Sequence, residues 1–456
     1  MDDNKKISLP SMIFFGICSL VVLYTWSRSA AVGTHGVGVW IVMFILFLLP
    51  NCFAVSELGS SYAEDGGISL WVTKAFGPFA GSLAGWFYWV NYVFGLPYVF
   101  VTVMGNLQGF FFPELTQNGQ MIGVIALIWF TVIVGICNSG VTQKITAFGG
   151  YVVAGIALVI MVLAVIFGMK NGIQTDFSLS AFMPTGSSFV SFAPTVVFNL
   201  LGFELISSVA SKCDNPEKNV PKFTMITGII VGVVYIAATL SIMTIIPEAE
   251  IDSVNGLIDA AKVSAVAVGG PGFGKVIGAL IVIAIIYALC ASGIGWAFGT
   301  ANVIASAGLG EKSAILGHTN KKFGTPDYAY LIMGIVGTIY TFFSYKGGSN
   351  VEAVANFIFS FSTILFMFPY VFMYPSVIAL RKKDPDHVRP YKIPGGNVGL
   401  WLAGAVPAVI VVISMICLTI PEDGNMMTMV KTWLGFLAVV VVGVIIYING
   451  ERKNKK

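Results

Sequence analysis

Twelve runs of predominantly apolar residues follow one another along this chain of 456 residues, separated by short polar segments. A run of about twenty such residues spans the ~30 Å hydrocarbon core of a bilayer as an α-helix, the one open-chain structure that pairs all its backbone groups internally. The runs fall at about 8–30, 37–58, 77–107, 121–139, 145–169, 188–211, 223–246, 273–307, 328–345, 351–380, 399–420 and 428–449. Charged residues make up 10% of the chain, against ~25% in a soluble domain, too few to cover a water-facing surface. The sequence therefore predicts an all-α membrane protein of twelve transmembrane helices, with the lipid bilayer as its first partner.

The polar segments set the orientation. They comprise a tail at 1–7, the connection SSYAEDGGIS after the second span, the segment PEAEIDSVNGLIDAAKVSA with a short surface helix, and the basic tail ERKNKK. Twelve crossings leave both ends on one side. Nineteen of the 25 lysines and arginines fall on that side and five on the other, with Arg28 inside the first span. The positive-inside rule then places both termini in the cytoplasm. No cleavable signal peptide is expected, because the first apolar run is a full-length span.

Several functions are excluded by what the chain lacks. A net charge of +3 spread over short loops gives no basic domain, so no nucleic-acid partner is expected. The six cysteines are scattered, without a CxxC pair, and mostly lie in apolar runs where a thiol packs as a small hydrophobe, so neither disulfides nor a zinc site is implied. There is no GxxxxGK[ST] loop to bind ATP and no TVGYG-like filter. No nucleophile–base pair or metal-ligand set points to an enzyme, and no cofactor or metal is expected.

Two spans carry polar residues at lipid depth. The sixth, in the stretch from Pro194 to Pro221, carries Asn199, Gly202 and Glu204. A carboxylate at a helix centre costs about 2.5–3.5 kcal/mol on insertion scales. Glu204 either faces a water-filled path or a substrate, or is buried, protonated and hydrogen-bonded to a neighbouring helix. The first span carries Cys18, Ser19, Tyr24, Thr25, Ser27 and Arg28. Spans one and six are five apart, which suggests two five-helix repeats within a single transmembrane domain, at 1–180 and 181–384, followed by two more helices and the tail at 385–456. An odd number of spans per repeat forces inverted topology, and interrupted helices at equivalent positions point to a transporter site near the midplane. The alternative is a pair of packing kinks.

Three further residues are candidates. Arg28 attracts a carboxylate, pairs with Glu57 or Glu204, or snorkels to the outer interface. Glu57 is either a charge partner or a solvated helix end. Trp296, among small residues in ASGIGWAFG, either covers a site or is core.

Three stretches carry a family resemblance: Ala54–Pro78 (AVSELGSSYAEDGGISLWVTKAFGP), Gly202–Pro221 (GFELISSVASKCDNPEKNVP) and Arg389–Gly396 (RPYKIPGG). Across nearly its full length the chain resembles the amino acid–polyamine–organocation transporter superfamily. The resemblance implies a LeuT-type 5+5 inverted repeat with helices 1 and 6 interrupted and two helices appended, working by alternating access. It implies that Phe198 gates the substrate, that Glu204 serves in gating or proton sensing, and that Trp296 stacks on the substrate. Leu96 and Ser362 fall on pocket-lining positions. Typical amino-acid members break helix 1 at a G-S-G-like element whose bare amides hold a carboxylate. Here CSLVVLYTWSRSA has no glycine between Gly16 and Gly33, similar to the branch of glutamate/γ-aminobutyrate and agmatine/putrescine antiporters.

The expected function is secondary exchange of amino acids or their decarboxylated amines across a bacterial cytoplasmic membrane, with agmatine/putrescine-type antiport leading. A carboxylate and aromatic faces suit a cationic amine. Arg28 argues for an acidic substrate if it faces the pocket. A general amino-acid permease or a glutamate/γ-aminobutyrate antiporter is the alternative, and a non-transporting sensor or channel is a distant one. The expected partners are a small amino acid or amine and lipid, with the protein a monomer or homodimer.

Overall fold

The structure, a computed structural model, describes residues 6–253, 255–307, 309, 313, 315–346, 351–420 and 426–454. Within them it describes the backbone alone for Tyr24, residues 351–359, Thr428 and residues 451–454. Most of the polar tail at 1–7 and the end of ERKNKK lie outside the described residues.

Among the described residues, eleven helices are long and apolar enough to cross a membrane, and a bent pair makes twelve. The pair is α1 (Leu9–Leu20) and α2 (Tyr24–Ala31), meeting at 52°. Span two runs Thr34–Ser61 as α3 (Thr34–Met43), a π-helical turn (Phe44–Leu48) and α4 (Leu49–Ser61). The turn widens just where Pro50, which has no N–H, could not continue the regular ladder. Then come α5 (Ile68–Phe76), α6 (Pro78–Phe110), α7 (Gln117–Cys137) and α8 (Ser139–Asn171). Span six is α9 (Gly186–Asn199) followed by a 3-10 helix (Phe203–Lys212). The remainder is α10 (Pro216–Ile245), α11 (Gly256–Ser306), α12 (Asp327–Lys346), α13 (Val351–Lys383), α14 (Gly396–Thr419) and α15 (Met426–Asn454).

Three local features refine the sequence reading. The connection after span two contains α5, which at nine residues is too short to register as a span and buries Ile68, Trp71 and Val72 on one face. The short helix expected on the surface before span eight is the first part of α11, which breaks at Gly270 (φ 83°) ahead of Pro271. It is not a surface helix: it buries Leu257, Ile258, Ala260, Ala261 and Ala265, and its Leu257 amide donates to Ser27 Oγ at 2.9 Å. Interruptions in spans one and six lie at Val21–Leu23 and Leu200–Gly202.

The centre is built by α8 against α1 and α11, with α6 packed on α11 and α13. Close approach needs Gly150, whose Cβ would collide with the Phe14 carbonyl. The last span lies at the periphery, its Met429–Gly450 window only 11% buried, and is tied to α6 by Trp86 Nε1 donating to the Val439 carbonyl at 2.9 Å.

On the side where α1 begins, hereafter the terminus side, segments from distant parts of the chain converge. Asp65 accepts hydrogen bonds from Ser211 N and Oγ at 2.7 and 2.6 Å. Ile7 donates its amide to Lys212 at 2.8 Å and accepts that of Asp214 at 3.0 Å. The loop before α14 docks on the end of α4, where His387 meets the Ser61 carbonyl at 2.8 Å and the Ile393 amide reaches Glu57 Oε2 at 2.8 Å.

Candidate functional site

A helix that stops inside a membrane strands carbonyls and amides that must find partners. At both breaks those partners are side chains from other helices. In the first break the chain leaves α1 at Val21 (ψ 104°) without using a glycine. Trp296 Nε1, on α11, donates to the Ser19 carbonyl at 2.7 Å. The Tyr235 hydroxyl, on α10, accepts the Val22 amide at 2.8 Å and lies 3.0 Å from the Leu20 carbonyl. Its ring stacks on Trp40 at 4.3 Å.

The second break is bound to the first. Asn199 Oδ1 lies 2.8 Å from the same Tyr235 hydroxyl and accepts from Thr25 Oγ1 at 3.1 Å, while its Nδ2 returns to the Thr195 carbonyl at 2.6 Å. Past Asn199 the chain turns at Gly202 with φ 103°, a left-handed conformation. A Cβ there would come within 2.8 Å of both Leu20 and the Trp296 ring, so glycine is required by backbone and space alike.

Between the breaks lies a cavity of about 100 Å³. Its walls are Ser19–Leu23 at the first break, Phe198, Asn199 and Leu201 at the second, and Asn91, Tyr92, Gly95, Tyr98 and Val99 on α6. Ala288, Leu289, Ser292 and Trp296 on α11 and Ser362 and Phe366 on α13 complete it. None of these described side chains is charged. The Trp296 ring stacks at 6.0 Å on Tyr92 and meets Phe366 edge-on at 5.3 Å, and Phe366 also contacts Phe198 at 5.7 Å.

Toward the terminus side this aromatic wall rests on a buried carboxylate. Glu204 Oε1 accepts from the Tyr88 hydroxyl at 2.6 Å and the Tyr370 hydroxyl at 2.5 Å, joining the 3-10 helix to α6 and α13. All three residues are at most 1% exposed. The carboxyl group is thus a buried side chain hydrogen-bonded to phenols on neighbouring helices, one of the two arrangements the sequence left open. Parting α6 or α13 from the 3-10 helix must break one of these hydrogen bonds.

Of the residues singled out from the sequence, Ser19, Phe198, Asn199, Trp296 and Ser362 line the cavity. Gly202 forms the break behind it, and Glu204 lies beneath. Leu96 is fully buried at the edge of the lining face of α6, against Gly293 of α11, and is not part of the wall. Tyr24 begins α2, but its side chain lies outside the described residues.

The two charge candidates are not partners. Arg28 is exposed near the far end of α2. Glu57 sits at the opposite end of span two and is neither solvated nor free: it is 2% exposed and bound by Arg381 Nε and Nη2 at 2.6 and 2.5 Å. Arg389 Nε stands 3.6 Å away. One whole membrane crossing separates the ends at which Arg28 and Glu57 lie, which is why they cannot meet.

Tyr235, Tyr88, Tyr370, Asn91 and Phe366 were not evident from the sequence. A tyrosine in an apolar helix carries no sign of where its hydroxyl ends; the usable signal was that a buried phenol needs a partner.

The chain is similar to several transport proteins over most of its length. It is 29% identical over 452 residues to the probable agmatine/putrescine antiporter AguD of Lactococcus lactis subsp. lactis (strain IL1403), covering 98% of this chain and 96% of that one. It is 22% identical to the glutamate/gamma-aminobutyrate antiporter of the same organism, covering 100% and 92%. It is 25% identical to the D-serine/D-alanine/glycine transporter of Escherichia coli (strain K12), covering 87% and 83%. The sequence profile of the amino acid permease family matches residues 7–446, so this chain of broken helices around a small cavity belongs to the amino acid permease family.

Proposed function

We propose that the protein is a secondary antiporter that exchanges an amino acid or its decarboxylated amine for a related product, with the agmatine/putrescine type leading. The observation that carries the reading is the cavity itself: it is walled by two helix breaks and aromatic faces, lacks a charged side chain among its described lining, and rests on a buried carboxylate. A cation entering it would meet π-faces and, beneath them, the carboxyl group of Glu204, whose ionised form would attract it. The resemblance to the probable agmatine/putrescine antiporter supports the same choice.

Two five-helix repeats, at 1–180 and 181–384, would together supply a bundle that rocks against a scaffold about the cavity, in a bacterial cytoplasmic membrane with both termini inside. Glu204 would report substrate charge to the helices it holds, while Phe198 and Trp296 cover the substrate. A second reading, a permease for amino acids or a glutamate/γ-aminobutyrate antiporter, is favoured by the relatives with those names.

Counterflow in proteoliposomes tests the choice. Vesicles loaded with putrescine should accumulate labelled agmatine, and unloaded vesicles should not. Entry of glutamate or neutral amino acids, with no response to amines, would replace the leading reading by the second. Flux without stimulation by internal substrate would point to a channel.

A further inference from the structure

One buried amide outside the cavity holds the second break in place. Leu200 caps the end of α9, and its carbonyl has left the helical ladder. That carbonyl accepts a hydrogen bond at 2.8 Å from Asn51 Nδ2, on α4. Behind it, Asn51 Oδ1 accepts from the Tyr374 hydroxyl of α13 at 3.1 Å. Both side chains are fully buried. The amide is held in one orientation, because only its NH₂ can serve a carbonyl and only its oxygen can accept a phenol proton.

Two neighbours of Leu200 make this contact matter. Asn199 and Leu201 both line the cavity, so the carbonyl between them sets where they stand. Asn51 in turn owes its direction to the π-helical turn at Phe44–Leu48 just before it. One extra residue in a helix rotates everything after it by about 100°, and such turns gather at functional sites. Without it, Asn51 would point away from the break.

We propose that Asn51, oriented by Tyr374, is a positioning residue for the cavity, fixing the Leu200 carbonyl and through it the walls at Asn199 and Leu201. The proposal rests on the transporter reading only for what the cavity holds. The hydrogen bonds concern the shape of the break and are measurable without substrate.

The test uses the full-length protein with Asn51→Asp and Tyr374→Phe. Asn51→Asp keeps the shape and the acceptor for Tyr374 but loses the donor to Leu200. In counterflow it should raise KM at least tenfold while the maximal rate stays within about threefold. Tyr374→Phe, which only frees the amide to turn, should raise KM about threefold. Hydrogen–deuterium exchange of residues 199–203 in the absence of substrate should quicken in both variants, and a residue that merely fills space would not move it. Unchanged KM together with unchanged exchange would overturn the proposal. Should Asn51→Asp fail to accumulate, Tyr374→Phe decides by the same two readouts. If the wild type exchanges no amine or amino acid, the transporter reading falls, and the exchange kinetics of residues 199–203 still decide the role of Asn51.

Discussion

The Tyr235 hydroxyl stands 2.8 Å from Asn199 Oδ1 while accepting the Val22 amide at the same distance. One oxygen on α10 therefore touches the interruptions of both span one and span six. Its single proton has two candidate acceptors, Asn199 Oδ1 and the Leu20 carbonyl, so it can move from one break to the other without the ring moving.

Removing that oxygen should uncouple the breaks. Tyr235→Phe keeps the stack on Trp40 but leaves the half-buried Val22 amide without its protein partner, a loss of about 1–3 kcal/mol. The expected result is roughly a fivefold to hundredfold fall in exchange efficiency, read by counterflow, with normal abundance in the membrane. Unchanged kinetics would show that the two breaks hold themselves.

Charge at Glu204 separates the substrate classes. Glu204→Gln preserves shape, and its carbonyl oxygen can accept from both phenols as Oε1 does, but it cannot ionise. A cationic substrate predicts loss of measurable binding, whereas Arg28→Ala, altering an exposed residue, should leave KM within about twofold. The reverse pattern, with Arg28 essential and Glu204→Gln shifting only the pH response, would identify an acidic substrate. Counterflow kinetics of the variants with agmatine and with glutamate, at more than one pH, together with isothermal titration of the purified proteins, read both arms.

Gly202→Ala should be among the most damaging single-methyl additions. The new Cβ meets a φ of 103° and the Trp296 ring at 2.8 Å. Since Trp296 also holds the Ser19 carbonyl, displacing the ring disturbs the first break as well. Exchange should fall at least a hundredfold, and tryptophan fluorescence should shift in the unliganded protein. A variant with near-normal exchange would show that the break is more pliable than its geometry implies.

Glu57 and Arg381 make a stability prediction instead. Removing one partner of a buried ion pair costs about 3–5 kcal/mol, while replacing both with apolar residues is often near neutral. Arg381→Leu should therefore lower the thermal midpoint in detergent, and Glu57→Leu combined with Arg381→Leu should recover part of it. Additive losses would mean that Arg389 and the Ile393 amide already carry the carboxylate.

Much of this architecture was legible in the sequence, for identifiable reasons. A bilayer requires long apolar runs, so the spans could be placed, most to within four residues and α8 and α10 starting six or seven residues earlier than expected. Polar residues at lipid depth marked both breaks, including the one that lacks a glycine. What stayed hidden was direction. Glu57 read as a helix end because its partners, Arg381 and Arg389, are more than three hundred residues away in the chain. Leu96 read as pocket wall because one position along α6 decides between the cavity and the face against α11. The helix α5 escaped because nine residues make no span. Tyr235 escaped because only the folded chain brings its hydroxyl to two breaks at once.

The 3-10 helix has a consequence of length. Ahead of its kink at Val209, the stretch Phe203–Ser208 rises about 2.0 Å per residue and reaches about 12 Å, where an α-helix of the same residues would reach about 9 Å. The second half of span six thus covers more distance per residue toward the terminus side than an α-helix would, up to Val209. The stretched winding has poorer hydrogen-bond geometry, and it is already interrupted at Val209 (φ −130°, ψ 36°). Rewinding that stretch as α would draw its ends together by about 3 Å, so a change of winding here is a change in the length of the span.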